Sequence, residues 1–305
     1  MSVHVVTGAG PIGTATARLL AASGERVRVI TRGGGGPEHP LVERVAADIT
    51  DTDRLTELLR GARTLYSAAA PAYQDWRTAF PPLAASLLTA AERTGTDYVM
   101  LGNLYGYGSA AEPLTPGLPL RPTSDKGRVR AAIWEEALTA HEAGRVRAAE
   151  VRASDFLGEG ALSLFTWTAV PAVLAGTEAV FPVGLDQAHA WSYVGDVART
   201  LVAVGGREDG WGRAWHVPST SELSIRALAD RLAAAAGAPG PRLRRMTPGE
   251  LAELVARDAV MAEVPEMAYM YDRALRLDAS ETEAVLGVRA TALDLVLKEL
   301  VESGS

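Results

Sequence analysis

Hydrophobic and polar positions switch between two periods along the first hundred residues. Val3, Val5 and Val6 make a short apolar run, glycines interrupt it, and apolar residues then return at helical spacing. Ile12, Thr16, Leu19, Leu20 and Ser23 fall on one face of the helix this predicts, and Gly24 ends it. A second strand runs from Arg26 to Thr31. A third ends in Ala46-Ala47-Asp48, before a helix capped by Asp51 and running through Leu59. The fourth strand, Thr64 to Ala70, ends in small residues, as suits a strand with a ligand across its edge. A helix from Trp76 to Arg93 then leads to a fifth strand, Tyr98 to Leu101. This βαβα order predicts an α/β chain with a doubly wound parallel sheet and a ligand at the carboxyl ends of its strands.

The turn after the first strand carries Gly8-x-Gly10-x-x-Gly13, with Pro11 and Ile12 opening the helix. Gly8 allows the tight turn, Gly10 lets backbone approach a pyrophosphate, and Gly13 lets helix and strand pack closely. The helix N-terminus adds free N–H groups and a favourable dipole. A Rossmann dinucleotide site is expected here. The second strand ends in Thr31-Arg32, without the carboxylate that usually holds an NAD ribose. Arg32 suits a 2′-phosphate, through charge-assisted bonds worth about 1.5–3 kcal/mol each. Two of them favour NADP(H) over NAD by on the order of a hundredfold, so NADP(H) is the expected cofactor.

Composition narrows the picture. Hydrophobic residues make up 48% of the 305-residue chain and charged residues 22%, which fits a folded protein. A net charge of −7 argues against a nucleic-acid partner. With Cys 0 there is no disulfide, thiolate metal site or thiol nucleophile. The histidines show no HExxH spacing, and no GxSxG elbow occurs. Strand residues begin directly after Met1, so no signal peptide is expected. The apolar stretch Ala161 to Ala175 contains Pro171 and is too short for a bilayer. A cytoplasmic protein with no membrane partner is expected.

Further landmarks follow in order: Gly102-Asn103-Leu104-Tyr105-Gly106-Tyr107-Gly108, RASDFLGEG from Arg152, FPVGLDQAHAWSYVGDVA from Phe181, and RLDASETEAVLGVRATALDLVLKEL from Arg276. With the glycine fingerprint and the Asp48 segment, the chain resembles the extended short-chain dehydrogenase/reductase family, the group of sugar-nucleotide epimerases and dehydratases. That resemblance implies a Rossmann doubly wound parallel sheet with a smaller C-terminal substrate lobe. The cofactor domain would take residues 1–151 plus 187–210, and the lobe 152–186 plus 211–305. It also implies that Asp48 and Ile49 border the adenine and that Ala68, Ala69 and Ala70 line the dinucleotide. The family's usual homodimer would form through the Trp76–Arg93 and Lys126–His141 helices, where Ala131, Ala132, Ile133 and Ala137 offer small residues.

Two departures from the family pattern stand out. Its glycines are usually spaced GxxGxxG, one residue longer than here. Its acid/base unit, Tyr-x-x-x-Lys preceded by Ser or Thr, occurs nowhere in the chain. The matching positions are Lys126 and Arg130, with Asn103 at the Ser position. Lys126 and Arg130 share a helix face. Arg130 can hold the ribose, and Lys126, near a helix N-terminus and a second cation, is expected to lose its proton more readily and serve as a donor. The same residues also read as a solvated basic face.

Tyr105 and Tyr107 are alternative proton donors, or packing residues. Tyr73 can border the substrate or act as a lid. Asp155 and His189 lie in segments facing the substrate lobe, and a His–Asp pair would suit proton transfer, though nothing in the sequence joins them. His4, inside the first strand, reads as structural. Leu162, Phe165, Trp167, Val170, Val173 and Leu174, with Trp191, Trp211 and Trp215, give the lobe an apolar character that suits a flat or hydrophobic substrate better than a sugar diphosphate. The leading expectation is an NADP(H)-dependent oxidoreductase of a small organic molecule. The alternatives are a redox-neutral epimerase, dehydratase or cyclase on the same scaffold, and a non-catalytic NADP-sensing regulator.

Overall fold

The computed structural model describes residues 3–109 and 113–304. Its strands are β1 (Val3–Thr7), β2 (Arg26–Thr31), β3 (Val42–Ala46), β4 (Ala62–Ser67), β5 (Asp97–Asn103), β6 (Ala148–Ala153), β7 (Asp155–Leu157), β8 (Glu178–Phe181), β9 (Trp191–Tyr193), β10 (Ala214–His216) and β11 (Arg242–Arg245). Between them run α1 (Pro11–Ala22), α2 (Thr52–Leu59), α3 (Trp76–Thr94), α4 (Asp125–Glu142), α5 (Val170–Leu174), α6 (Val194–Gly205), α7 (Ile225–Ala236), α8 (Pro248–Arg257) and α9 (Leu293–Ser303). The main sheet has the order β10-β6-β5-β4-β1-β2-β3, with every neighbouring pair parallel. The chain winds outward from β1 in both directions, so the crevice between β1 and β4 is the switch point where such sheets bind ligands.

Pleating sends neighbouring residues to opposite faces, and helices cover both. Val5, Ile30, Leu65 and Tyr98 pack with Leu55, Phe80, Leu87, Ile133 and Trp134 on one side. Val6, Val29, Val99 and Val151 pack with Ile12, Leu20, Val197 and Leu201 on the other. A third core, around Phe165, Phe181, Trp191, Leu228 and Leu297, forms the smaller C-terminal lobe. There β8 pairs with β11, and β7 pairs with β9. Among the described residues, no helix is long and apolar enough to cross a membrane.

Several local expectations shift. The buried side of α1 is Ile12, Gly13, Thr16, Ala17, Leu20 and Ala21, while Leu19 is half-buried and Ser23 exposed. Small residues face inward because α1 is packed closely against α6. β4 stops at Ser67, since Ala68 and Ala69 are drawn against Gly8. Leu162 and Trp167 are 60% and 48% exposed, so neither belongs to the lobe's core. Ala131, Ile133 and Ala137 are buried within this chain, which leaves Ala132 alone of the four exposed. β10 extends the main sheet beyond residue 210.

Candidate active site

The glycine turn is built to stay bare. Gly8 has φ +89°, and a Cβ there would lie 2.9 Å from the Ala69 Cα. A Cβ on Gly13 would lie 2.1 Å from the Gly8 carbonyl oxygen. Gly10 is different: its backbone is ordinary, and a Cβ would meet nothing within 4 Å. It is the N-cap of α1, where no side chain caps the helix and Pro11 begins it. Open space, uncapped N–H groups and the small residues Ala68, Ala69 and Ala70 alongside fit a dinucleotide pyrophosphate. Ile12 is buried beneath the turn, and Ile49 is buried beyond the end of β3.

At the end of β2, the Thr31 hydroxyl donates to the Gly35 carbonyl at 3.1 Å. Arg32 is exposed. The backbone N–H and hydroxyl of Thr50 hold the Asp48 carboxyl below its usual range, and Arg32 adds a smaller electrostatic pull. The cation here therefore works beside a carboxylate.

Lys126 stands in the first turn of α4, whose N-cap Ser124 accepts from the Gly127 N–H at 3.0 Å. It is 3% exposed. Its ammonium pairs with Glu263 and, at 3.2 Å, with Glu266, and sits 4.4 Å from the centre of the Tyr73 ring. Two carboxylates compensate a buried charge, rather than a second cation opposing it. Arg130 is turned elsewhere, donating to the Leu101 carbonyl and lying 3.7 Å from Glu150, with its Nε buried and unpartnered. Asn103, at the end of β5, accepts from the Tyr105 N–H at 3.1 Å.

Beyond Lys126 the side chains converge. The Tyr73 and Tyr105 hydroxyls are 3.5 Å apart. Asp155 accepts from Tyr271 and lies 2.8 Å from His189 Nε2, while the His189 ring stacks on Tyr271 at 4.6 Å. Burial works against the Asp155 charge, but the His189 and Tyr271 hydrogen bonds prevail and hold its carboxyl below the usual range. Burial pushes the Tyr73, Tyr105 and Tyr271 hydroxyls up, with Asp155 adding to the effect at each. All three hydroxyls therefore keep their protons at neutral pH and are hydrogen-bond donors, weaker acids than a free tyrosine. With His189 Nε2–H given to Asp155, Nδ1 is left as a buried acceptor without a partner.

Tyr107 takes no part in this cluster. Its hydroxyl is held in the interior by Arg152 at 2.6 Å and His216 at 2.7 Å, and Arg152 in turn binds Glu150. Glu263, Glu266 and Tyr271 are additions from the far C-terminal segment. Their only trace in the sequence is the run EVPEMAYMYD, where acidic and aromatic residues cluster outside any clear period.

A family model described as the NAD dependent epimerase/dehydratase family matches residues 4–216. The chain belongs to that family. A comparison with curated proteins finds no match. Among solved structures, MoeE5 in complex with UDP-glucose and NAD is similar over 99% of this chain and 98% of that one, with 21% identity and a TM-score of 0.77. UDP-glucose 4-epimerase from Brucella ovis in complex with NAD is 20% identical over 100% and 99%, with a TM-score of 0.79. A dTDP-glucose 4,6-dehydratase from Bacillus anthracis in complex with NAD is 17% identical over 99% and 96%, also at 0.79.

For this epimerase/dehydratase family member, the expectation of NADP(H) is overturned, and with it those of an NADP(H)-dependent oxidoreductase and an NADP-sensing regulator. The family is NAD-dependent, the three structures carry NAD, and those with named activities are an epimerase and a dehydratase. The physical reason lies at β2. An exposed arginine facing Asp48 is neither held in place for a 2′-phosphate nor free of a competing negative charge.

Proposed function

We propose that this chain is an NAD-dependent enzyme of redox-neutral type, an epimerase or dehydratase acting at a secondary alcohol of a small sugar-like substrate. The observation that carries this reading is one convergence. Lys126, Tyr73, Tyr105 and the Asp155–His189 pair gather beyond the carboxyl ends of β4, β5 and β6, on the side of the sheet that holds the glycine turn. Family membership and the sugar nucleotides of similar structures support it.

The cofactor would rest on Gly8, Gly10, Pro11, Ile12 and Gly13, with Thr31, Arg32, Asp48 and Ile49 toward the adenine end and Ala68–Ala70 beneath it. Bound NAD supplies transient acceptance and return of a hydride. The chain works without Tyr-x-x-x-Lys. His189, oriented by Asp155, accepts the alcohol proton at Nδ1. Lys126 steadies the negative charge that develops on the substrate oxygen. Tyr73 and Tyr105 donate hydrogen bonds to the substrate, Asn103 fixes the Tyr105 backbone, and Arg130 supports the ribose side through its unpartnered Nε. The division into 1–151 plus 187–210 and 152–186 plus 211–305 would place these residues at the junction of cofactor domain and lobe. A homodimer through α3 and α4 completes the reading.

The deciding experiment is NAD titration followed by NMR of candidate alcohols incubated with protein and NAD. An isomerised or dehydrated product without accumulating reduced nicotinamide supports the proposal. Failure to bind NAD, or stoichiometric release of reduced nicotinamide, sinks it.

A further inference from the structure

Tyr271 touches the Asp155–His189 pair twice. Its hydroxyl donates to Asp155 Oδ2, the same oxygen that lies 2.8 Å from His189 Nε2. Its ring lies flat on the imidazole, with centres 4.6 Å apart and planes 4° from parallel. Trp191 meets that imidazole too, but tilted by 57° at 4.7 Å. Backbone sets the seat of Tyr271. Its carbonyl lies against Gly184, where a Cβ would come within 3.0 Å of that oxygen. Just beyond, the Ala190 N–H donates to the Leu275 carbonyl at 2.8 Å, and the Leu275 N–H to the Ala188 carbonyl at 2.9 Å. Those two bonds bracket His189, so imidazole and tyrosine ride on segments tied to each other. Met267 and Met270, buried in the lobe core, anchor the turn that precedes Tyr271.

One hydrogen bond fixes one atom of an imidazole and leaves the ring free to swing about that contact. The stacked face removes this freedom, because a swing would pull the two rings apart. The hydroxyl acts on the other partner. Burial works against a charged Asp155, and a donor on its oxygen supports the carboxylate. Tyr271 keeps its own proton, since burial and then Asp155 push its hydroxyl well up. A carboxylate only accepts, so the His189 nitrogen that faces it carries the hydrogen. Nδ1 is then the bare nitrogen, and no partner meets it among the described residues.

We propose that Tyr271 is a positioning residue for the Asp155–His189 pair. Its hydroxyl holds the Asp155 carboxylate and its ring holds the imidazole plane, so that His189 Nδ1 stays bare and fixed in direction. The proposal rests on the reading of His189 as the group that accepts the alcohol proton. Proton–nitrogen NMR of the nitrogen-15-labelled full chain tests it without a substrate, with His189→Gln identifying the His189 signals.

The unaltered chain should show one hydrogen on Nε2 and none on Nδ1. Two donors on one oxygen share its electron density. Tyr271→Phe keeps the ring and removes the second donor, so the Nε2 hydrogen should move downfield and stay protected from water. Tyr271→Leu removes the ring as well, and should speed exchange of that hydrogen about five- to tenfold. A tyrosine that only supports the lobe would lower the melting temperature in both variants and leave these signals in place. An unmoved or upfield hydrogen in Tyr271→Phe, unchanged exchange in Tyr271→Leu, or a hydrogen on Nδ1 of the unaltered chain overturns the proposal. If Tyr271→Leu does not fold, Tyr271→Phe decides alone. Failure of the unaltered chain to bind NAD strikes the functional reading instead, and leaves the NMR signals to be read on their own.

Discussion

His189 Nε2 lies 2.8 Å from Asp155 Oδ2, joining two residues that are 34 positions apart. The parallel pairing of β7 with β9, Asp155 opposite Trp191, is what brings them together. A carboxylate fixing an imidazole sets both its orientation and its tautomer.

Asp155→Asn is therefore expected to cost about 1–3 kcal/mol of stability near neutral pH and to abolish turnover while NAD still binds. Because the folded-state carboxyl is held below its usual range, its contribution is present above the unfolded-state value and lost as pH falls through the folded-state one. Urea unfolding at neutral and acid pH should show the variant and the parent chain converging in acid. A constant gap would contradict this linkage.

His216 makes the clearest pH prediction. Burial, then the nearby Arg152 cation, pushes it from 6.5 down to about 4. The unfolded chain thus takes up this proton first. Stability is complete above 6.5 and falls as pH drops toward about 4, by on the order of 3 kcal/mol. His216→Gln should flatten that limb of the unfolding curve, and an unchanged slope would show that the ring is not neutral in the folded chain.

The glycine turn predicts a split between two neighbours. Gly10→Ala should change stability by no more than about 1 kcal/mol, since its Cβ meets no atom, yet weaken NAD binding about tenfold. Gly13→Ala should damage both, because the Gly8 carbonyl must move. Thermal unfolding beside NAD titration separates the two. Equal melting losses would mean that the space at Gly10 is not open, and unweakened NAD binding in Gly10→Ala would mean that its open face is not a ligand face.

Lys126→Met strands Glu263 and Glu266 beside Tyr73, and should cost about 1–3 kcal/mol, the glutamates' partial exposure softening the loss. Adding Glu263→Gln should restore part of that stability and none of the turnover. Recovery of turnover in the double variant would assign Lys126 a purely structural role.

Much of this was legible in the sequence. The limits of β2, α2 and α3 and the Asp51 cap follow from periodicity and capping, because local spacing alone decides them. The glycine cradle was equally plain at Gly8 and Gly13, where backbone approaches too closely for a Cβ, while Gly10 meets no protein atom. Less visible was anything set by contacts between distant segments. Lys126 and Arg130, four apart on one helix, diverge: one meets a carboxylate pair 137 and 140 residues away, the other is drawn to Glu150. Glu150 and Arg152 did leave a signal, as two charges at strand spacing in the wholly buried β6. Arg32 misled because its neighbour across the sheet, Asp48, is invisible to a pattern read along one strand.

Glu266 grips both the Lys126 ammonium and the Asp125 amide from 140 or more residues away. The far segment and the first turn of α4 thereby become a single latch. Any hinge that widens the crevice must release an ion pair and a helix-end hydrogen bond in the same movement, so its opening would be abrupt instead of graded.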